Sequence, residues 1–318
     1  MSVTQAAARS ATGRDIQSLP AYGVWTPVLM PVTGDLNIDV PRFLEHARSS
    51  LDAGCHGLAI FGTTSEANSF SLSQRKSLLE SALDAGLAPE RLMVGTGCCA
   101  LSDSIELTRH AVDLGCKKVL VLPPFYYKNM SDAGLFRSFA GIIDGVGDPD
   151  LRVYLYHFPQ LSGVPITFGL IELLLERYPE VTAGIKDSSG DWSNMSAMME
   201  RFPQIAVFPG SENFMLAGLR AGGVGCITAT ANANAAAIRR VYDAWREDGD
   251  GADALNRDME AVRNAIARYP LVPALKYLVA RARGDSAWRA VMPPMVPMAD
   301  ADGEALLAAL RDAGYEGP

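Results

Sequence analysis

The chain of 318 residues has only four histidines and five cysteines, and neither set has a spacing that would hold a metal ion or a disulfide framework. Cys55, Cys98, Cys99, Cys116 and Cys226 are odd in number, lack CxxC spacing and mostly sit near apolar runs. They read as reduced thiols of a cytoplasmic protein, with the adjacent Cys98 and Cys99 as small barrel residues. His46, His56, His110 and His157 have no metal-ligand spacing; the first three are assigned structural roles, and His157 is expected to point away from its neighbour Tyr156. No apolar stretch reaches the ~18 residues of a membrane span. The opening MSVTQAAARSATGRDIQSLP has no hydrophobic signal-peptide core, and residues 1–19 are expected to form a flexible arm. Basic runs with interleaved aromatics are also missing, and with a net charge of −8 this excludes nucleic acid as a partner.

What the chain does have is a repeat. Short apolar runs recur at GVWTPVLM, GLAIF, LMVGTG, KVLVLPP, RVYLY, VTAGI, IAVFPG and GVGCIT, separated mostly by amphipathic helical stretches. PRFLEHARSSLDAG, LSQRKSLLESALDAG, LSDSIELTRHAVDLG and ENFMLAGLRAG are examples, each ending at a glycine suited to a helix C-cap. Parallel strands need crossovers, and eight βα units can close on themselves, so the economical architecture is an α/β fold of the (β/α)8 TIM barrel type over residues 20–248. An open doubly wound sheet is the competing fold. After the polar break EDGDGAD, residues 249–318 read as a three-helix appendage: ALNRDMEAVRNAIARY, VPALKYLVARARG and DGEALLAALRDAG.

In such a barrel the reacting groups come from the carboxyl ends of the strands. Lys186 closes VTAGI and opens DSSGD, which places an amine at the mouth of a buried strand. Bringing a lysine pKa from about 10.4 to near neutrality costs roughly 4 kcal/mol, which a desolvated site must supply before the amine can attack a carbonyl. The plainer alternative is a lysine that snorkels into water or pairs with Asp187. After the second strand, Gly62, Thr63, Thr64, Ser65 and Glu66 offer hydroxyls and amides that suit a small carboxylate, or merely cap a loop. Tyrosines end two further strands, in Pro123-Pro124-Phe125-Tyr126-Tyr127 and in Tyr156-His157-Phe158-Pro159. A phenol can pass a proton or simply pack. Gly95, Gly97 and Ala100 give a GxGxxA pattern, but no acidic residue ends the next strand, so barrel packing is a better reading than a dinucleotide site. Met198 and Met199 read as helix packing.

Taken in order, GTTSE, PPFYY, YHFPQLSG and IKDSSG resemble the dihydrodipicolinate synthase and N-acetylneuraminate lyase superfamily. The resemblance runs from about Tyr22 to Tyr315 and includes GTGCCALSDSIELTRHAVDLG, PGSENF, GGVGCITATAN and MPPMVPMADADG. It implies that Lys186 forms a Schiff base with pyruvate or another 2-oxo acid, that Tyr156 shuttles protons, and that Thr63 and Thr64 bind the oxo acid's carboxylate. Tyr126 would complete a proton relay through Thr63 of a neighbouring subunit, within a homotetramer built from dimers. Gly210 and Ile227 would line the substrate pocket. An iminium on Lys186 is itself an electron sink, so no cofactor beyond the lysine is expected.

The departures bear on the substrate. The synthases hold the second substrate's carboxylate with an arginine where this chain has Leu161, which cannot replace a bidentate charge partner. Leu161-Ser162-Gly163 is more similar to the sugar-acid lyases; Ser188 falls where those enzymes use a hydroxyl toward the sugar chain, and Glu212 matches an acidic position of their next pocket loop. Asn213, Ser65 and His157 depart from that pattern, standing in place of a second acid, a glycine and an asparagine. The expectation is a lyase or aldolase acting between pyruvate and an aldehyde or sugar-acid-derived partner. The alternatives are a true 4-hydroxy-tetrahydrodipicolinate synthase, a 2-oxo-3-deoxy sugar acid dehydratase and a non-catalytic sensor of such acids.

Overall fold

The computed structural model describes residues 16–247, 251–315 and 317. Each of the eight apolar runs contains a strand: β1 (Gly23–Pro27), β2 (Gly57–Ile60), β3 (Leu92–Gly95), β4 (Lys118–Val121), β5 (Arg152–His157), β6 (Thr182–Asp187), β7 (Ala206–Pro209) and β8 (Gly225–Ile227). All pair in parallel, in the order β7-β6-β5-β4-β3-β2-β1-β8. The ring closes where Val224 N donates to Val207 O at 3.2 Å, so the sheet is a barrel and not an open doubly wound sheet. The strands are buried on both faces, inward against the barrel filling and outward against helices, which is why their sequences run apolar without alternation.

Helices Val40–Asp52, Leu72–Asp84, Leu101–Asp113 and Met215–Ala221 fall within or against the predicted stretches. The expected glycines end them in the left-handed region, Gly54 at φ +105° and Gly222 at φ +104°. Gly95 has a different purpose. A Cβ there would lie 2.1 Å from Phe61 O, so the glycine lets β3 pass beneath a turn that holds Phe61 itself at φ +59°. The GxGxxA pattern is accordingly a packing device.

Three helices follow the barrel, Ala252–Ile266, Leu271–Arg283 and Asp300–Asp312. They share one apolar cluster with the strand-mouth residues Leu29 and Ala229, so they cover the carboxyl end of the barrel. Residues 248–250 of the polar break lie outside the described residues, as do residues 1–15 of the expected arm. Ile16, at the end of the expected arm, is fully buried among Ala21, Val24 and Tyr242 and so packs against the barrel. Cys98 and Cys99 also depart from expectation: they lie beyond the end of β3, partly buried and exposed respectively, and are not barrel residues. All five cysteines are free. No helix among the described residues is long and apolar enough to cross a membrane.

Candidate active site at the carboxyl ends of the strands

Tyr156 and Lys186 are register partners on β5 and β6, so their side chains leave the sheet on the same, inward side. One layer below them, Gly184 faces Tyr154. A Cβ on Gly184 would lie 2.7 Å from the Tyr154 ring and 2.5 Å from Ala206 O, so glycine is what allows a tyrosine to floor the site beneath the lysine. The strand runs through Lys186 to Asp187, one pair further than its apolar residues suggest, because Asp187 pairs with Pro209 of β7.

Three lysines are buried in this chain, and their surroundings separate them. Lys118 Nζ donates to Glu90 O at 2.7 Å at the opposite end of the barrel. Lys276 Nζ donates to Ala290 O at 2.6 Å and lies 2.5 Å from Glu66 Oε1. Burial pulls both of their pKa values down. Lys186 faces an open cavity of about 570 Å³. Its Nζ lies 3.4 Å from Tyr156 OH and 4.4 Å from the centre of the tyrosine ring. The Tyr156 hydroxyl is in turn 3.1 Å from Thr63 Oγ1. Such contacts often tighten only when substrate is bound. The pairing of Lys186 with Asp187 does not occur. Asp187 is buried on the other side of the strand, taking Ser189 N at 2.8 Å and Asn194 Nδ2 at 2.7 Å.

Thr63 and Thr64 stand on a turn held at both ends by strained backbone, Phe61 at φ +59° and Glu66 at φ +54°. Ser65 Oγ anchors the turn to Val28 O at 2.6 Å, and Glu66 Oε2 accepts Met292 N at 2.6 Å. Among the described residues no main-chain carbonyl takes the amides of Thr63, Thr64 or Ser65. These amides are therefore left without main-chain partners beside the hydroxyls of Thr63 and Thr64, the first of which meets Tyr156 OH.

The cavity brings together Lys186, Tyr156, Thr63, Thr64, Ser188, Gly210 and Leu161. It does not bring together every expected residue. Ile227 is fully buried in the barrel wall and does not line the cavity. Glu212 is also fully buried; its carboxylate accepts the hydroxyls of Thr228 and Thr230 instead of facing the cavity. Tyr126 is 74% exposed, packed edge-on to Tyr127 with ring centres 5.2 Å apart, away from Lys186's cavity in the single chain. His157 points away from Tyr156, as strand alternation requires: its Nδ1 accepts Ile166 N at 3.0 Å, and burial lowers its pKa. No group of side chains among the described residues could hold a metal ion.

Arg263 on the helix Ala252–Ile266 lines the cavity and was not identified from the sequence. A signal existed. Met259, Arg263 and Ile266 recur at helical spacing on the buried face of that helix, so a charge interrupts an apolar stripe.

An amine at a barrel mouth, beside a phenol and a carboxylate cradle, is the arrangement of an aldolase-type lyase. Residues 20–313 match the dihydrodipicolinate synthetase family. The chain belongs to that family, and it is a carbon–carbon lyase. It is 36% identical over 288 residues to an uncharacterised DapA-like lyase of Chloroflexus aurantiacus, an alignment covering 90% of this chain and 95% of that one. Among solved structures it is similar to dihydrodipicolinate synthase of Agrobacterium tumefaciens, with 29% identity, a TM-score of 0.84, and 92% and 99% of the two chains covered. YagE, a prophage protein of Escherichia coli K12 belonging to the dihydrodipicolinic acid synthase family and solved in complex with pyruvate, gives 26% identity, a TM-score of 0.84 and the same coverage.

Proposed function

We propose that this lyase works through a Schiff base on Lys186 and joins pyruvate, or another 2-oxo acid, to an aldehyde or sugar-acid-derived partner, or cleaves the joined product. The observation that carries this reading is the contact series Lys186 Nζ, Tyr156 OH, Thr63 Oγ1 on the wall of one cavity. The pyruvate bound to YagE supports the same first substrate.

The steps follow from these positions. The oxo acid's carboxylate rests on the amides and hydroxyls of Thr63 and Thr64, which puts its carbonyl carbon over the lysine amine. The amine adds to that carbon and water leaves, giving an iminium whose positive charge accepts the electron pair of a neighbouring bond. Loss of a proton from the methyl carbon gives an enamine that attacks the aldehyde. In reverse, deprotonation of the hydroxyl on C4 breaks the bond between C3 and C4. Tyr156 OH, within reach of both the amine and Thr63, is the group that carries these protons. Water then hydrolyses the iminium and frees the lysine.

The exposed Tyr126 and Tyr127 support an assembly in which a neighbouring copy extends the relay, within a homotetramer, and the buried free thiols Cys55, Cys116 and Cys226 support a cytoplasmic setting. The test is borohydride reduction in the presence of pyruvate, read by intact-protein mass and peptide mapping. A stable adduct on Lys186 that is absent from Lys186→Ala is expected; an unmodified wild type, or equal labelling of the variant, overturns the Schiff-base reading.

A further inference from the structure

We infer that Arg263 is the recognition group for an acidic far end of the substrate, so that the preferred substrate is a 2-oxo acid carrying a second carboxylate. The inference rests on the proposed chemistry at Lys186 and specifies what occupies the rest of that cavity.

Arg263 and Lys186 are the two cationic side chains among the described residues lining the cavity. The acidic residue among them, Asp187, turns its carboxylate to the other side of the strand, where Ser189 N and Asn194 Nδ2 engage both oxygens. The cavity therefore presents two basic side chains and no free carboxylate.

The guanidinium is held but not spent. Its Nε lies 3.8 Å from Glu212 Oε2, an ion-pair separation beyond hydrogen-bond reach, and its Nη1 is buried without a hydrogen-bond partner. Glu212 already takes two hydroxyls, from Thr228 and Thr230. If Arg263 served only to neutralise Glu212, it would be expected to close to a hydrogen bond, since a buried donor left unsatisfied is costly. Glu212 instead acts as a positioning residue: it fixes the guanidinium at the cavity wall without taking a hydrogen bond from it. A carboxylate fits the forked donors of a guanidinium two at a time. Beside it, Asn213 Nδ2 donates to Asn264 Oδ1 at 2.8 Å, and Asn213 Oδ1 is buried without a partner.

The location matters as much as the charge. Leu161 follows β5, on one side of the Lys186 strand, whereas Arg263 packs by Glu212, which follows β7 on the other. The cation on this chain has moved to the opposite flank of the nucleophile, so it selects a differently shaped acid from one held at position 161.

The experiment compares two cleavage substrates with the same chain length and hydroxyl pattern. One is a 2-oxo-3-deoxy aldonic acid ending in a primary alcohol; the other is the corresponding aldaric acid ending in a carboxylate. Cleavage between C3 and C4 releases pyruvate from either, and kcat/KM is read from that release. Wild type is expected to favour the diacid. In Arg263→Gln the ratio of the two kcat/KM values should fall by roughly 30-fold or more. Arg263→Lys, which keeps the counter-charge to Glu212 but loses the forked donors, should fall between them. A wild type that prefers the monoacid, or a ratio unchanged in Arg263→Gln, overturns the inference. Calorimetry with glutarate and butyrate, neither of which can form an imine, keeps the arginine separate from the lysine. Glutarate should bind more tightly than butyrate to wild type, with the advantage lost in Arg263→Gln. Equal affinities in wild type overturn the inference, whereas failure of borohydride trapping on Lys186 overturns only the Schiff-base reading.

Discussion

Lys276 Nζ lies 2.5 Å from Glu66 Oε1, and both side chains are completely buried. The pair ties the turn that carries Thr63 and Thr64 to the helix Leu271–Arg283, so the helices after the barrel hold that turn in place. Glu66 Oε2 is spent on Met292 N, and the lysine's aligned hydrogen bond goes to Ala290 O, which makes the pair one node of a buried network.

Breaking one half of that pair leaves a buried charge alone. Glu66→Gln is expected to destabilise the fold by about 3–5 kcal/mol and to raise KM for the 2-oxo acid, because the turn loses its anchor. Replacing both partners, Glu66→Gln with Lys276→Met, should recover most of the stability without restoring KM. Urea unfolding followed by steady-state kinetics checks both statements; a double variant no more stable than the single one would show that the pair is not the anchor.

Tyr156 offers a second test, since packing and proton transfer make different demands on it. Its ring covers Lys186 and its hydroxyl alone touches Thr63. Tyr156→Phe keeps the ring, so the melting temperature should hold while kcat falls by about 10²–10⁴-fold. Near-normal turnover in the folded variant would return the residue to a packing role.

How much of this was legible in the chain depends on where each group sits. Strand order and strand ends announce themselves through apolar runs, which is why the sequence alone assigns Lys186, Tyr156 and Thr63 to one mouth. His157 was legible for the same reason, since alternation sends it outward from Tyr156. Glu212 is placed wrongly by the resemblance because a shared residue type in a pocket loop does not say which way its side chain turns. The neighbouring Thr228 and Thr230, also beyond a strand end, draw its carboxylate inward. Arg263 was missed because a search of strand ends cannot find a group delivered by a helix in the appendage. The role of Tyr126 depends on a second copy of the chain, which one sequence read alone does not position.

Two histidines make stability depend on acid. His46 is buried with Nε2 2.9 Å from Asn232 Oδ1 and Arg283 nearby; His56 accepts Val24 N at 3.0 Å among Arg91, Arg239 and Arg246. Burial foremost, with these arginines adding to it, lowers each from 6.5 to about 4. The folded state therefore holds both neutral, and the unfolded chain binds more protons between those values. Stability from this source is complete above pH 6.5 and is lost as pH falls toward 4, by about 3 kcal/mol for each residue. Urea midpoints measured down this range should drop steeply, and His46→Gln should flatten the drop. A profile equally steep in the variant would assign the acid sensitivity to other groups.

Leu161 sets the remaining expectation, for a substrate this enzyme should handle badly. Its side chain lines the cavity yet is 62% exposed, and it brings no charge to that flank. Aspartate semialdehyde is short, and its carboxylate is expected to stay on the Leu161 flank while its aldehyde lies over the enamine. Losing a charged partner for that carboxylate costs about 2–5 kcal/mol, roughly 30-fold to several-thousand-fold in kcat/KM if the contact persists in the transition state. A coupled condensation assay with saturating pyruvate and varied semialdehyde, run on wild type beside Leu161→Arg, measures it. The arginine variant is expected to gain and the wild type to be slow. A wild-type kcat/KM of about 10⁴ M⁻¹ s⁻¹ or more would instead make this chain a true synthase, whose second carboxylate is held by some group other than residue 161.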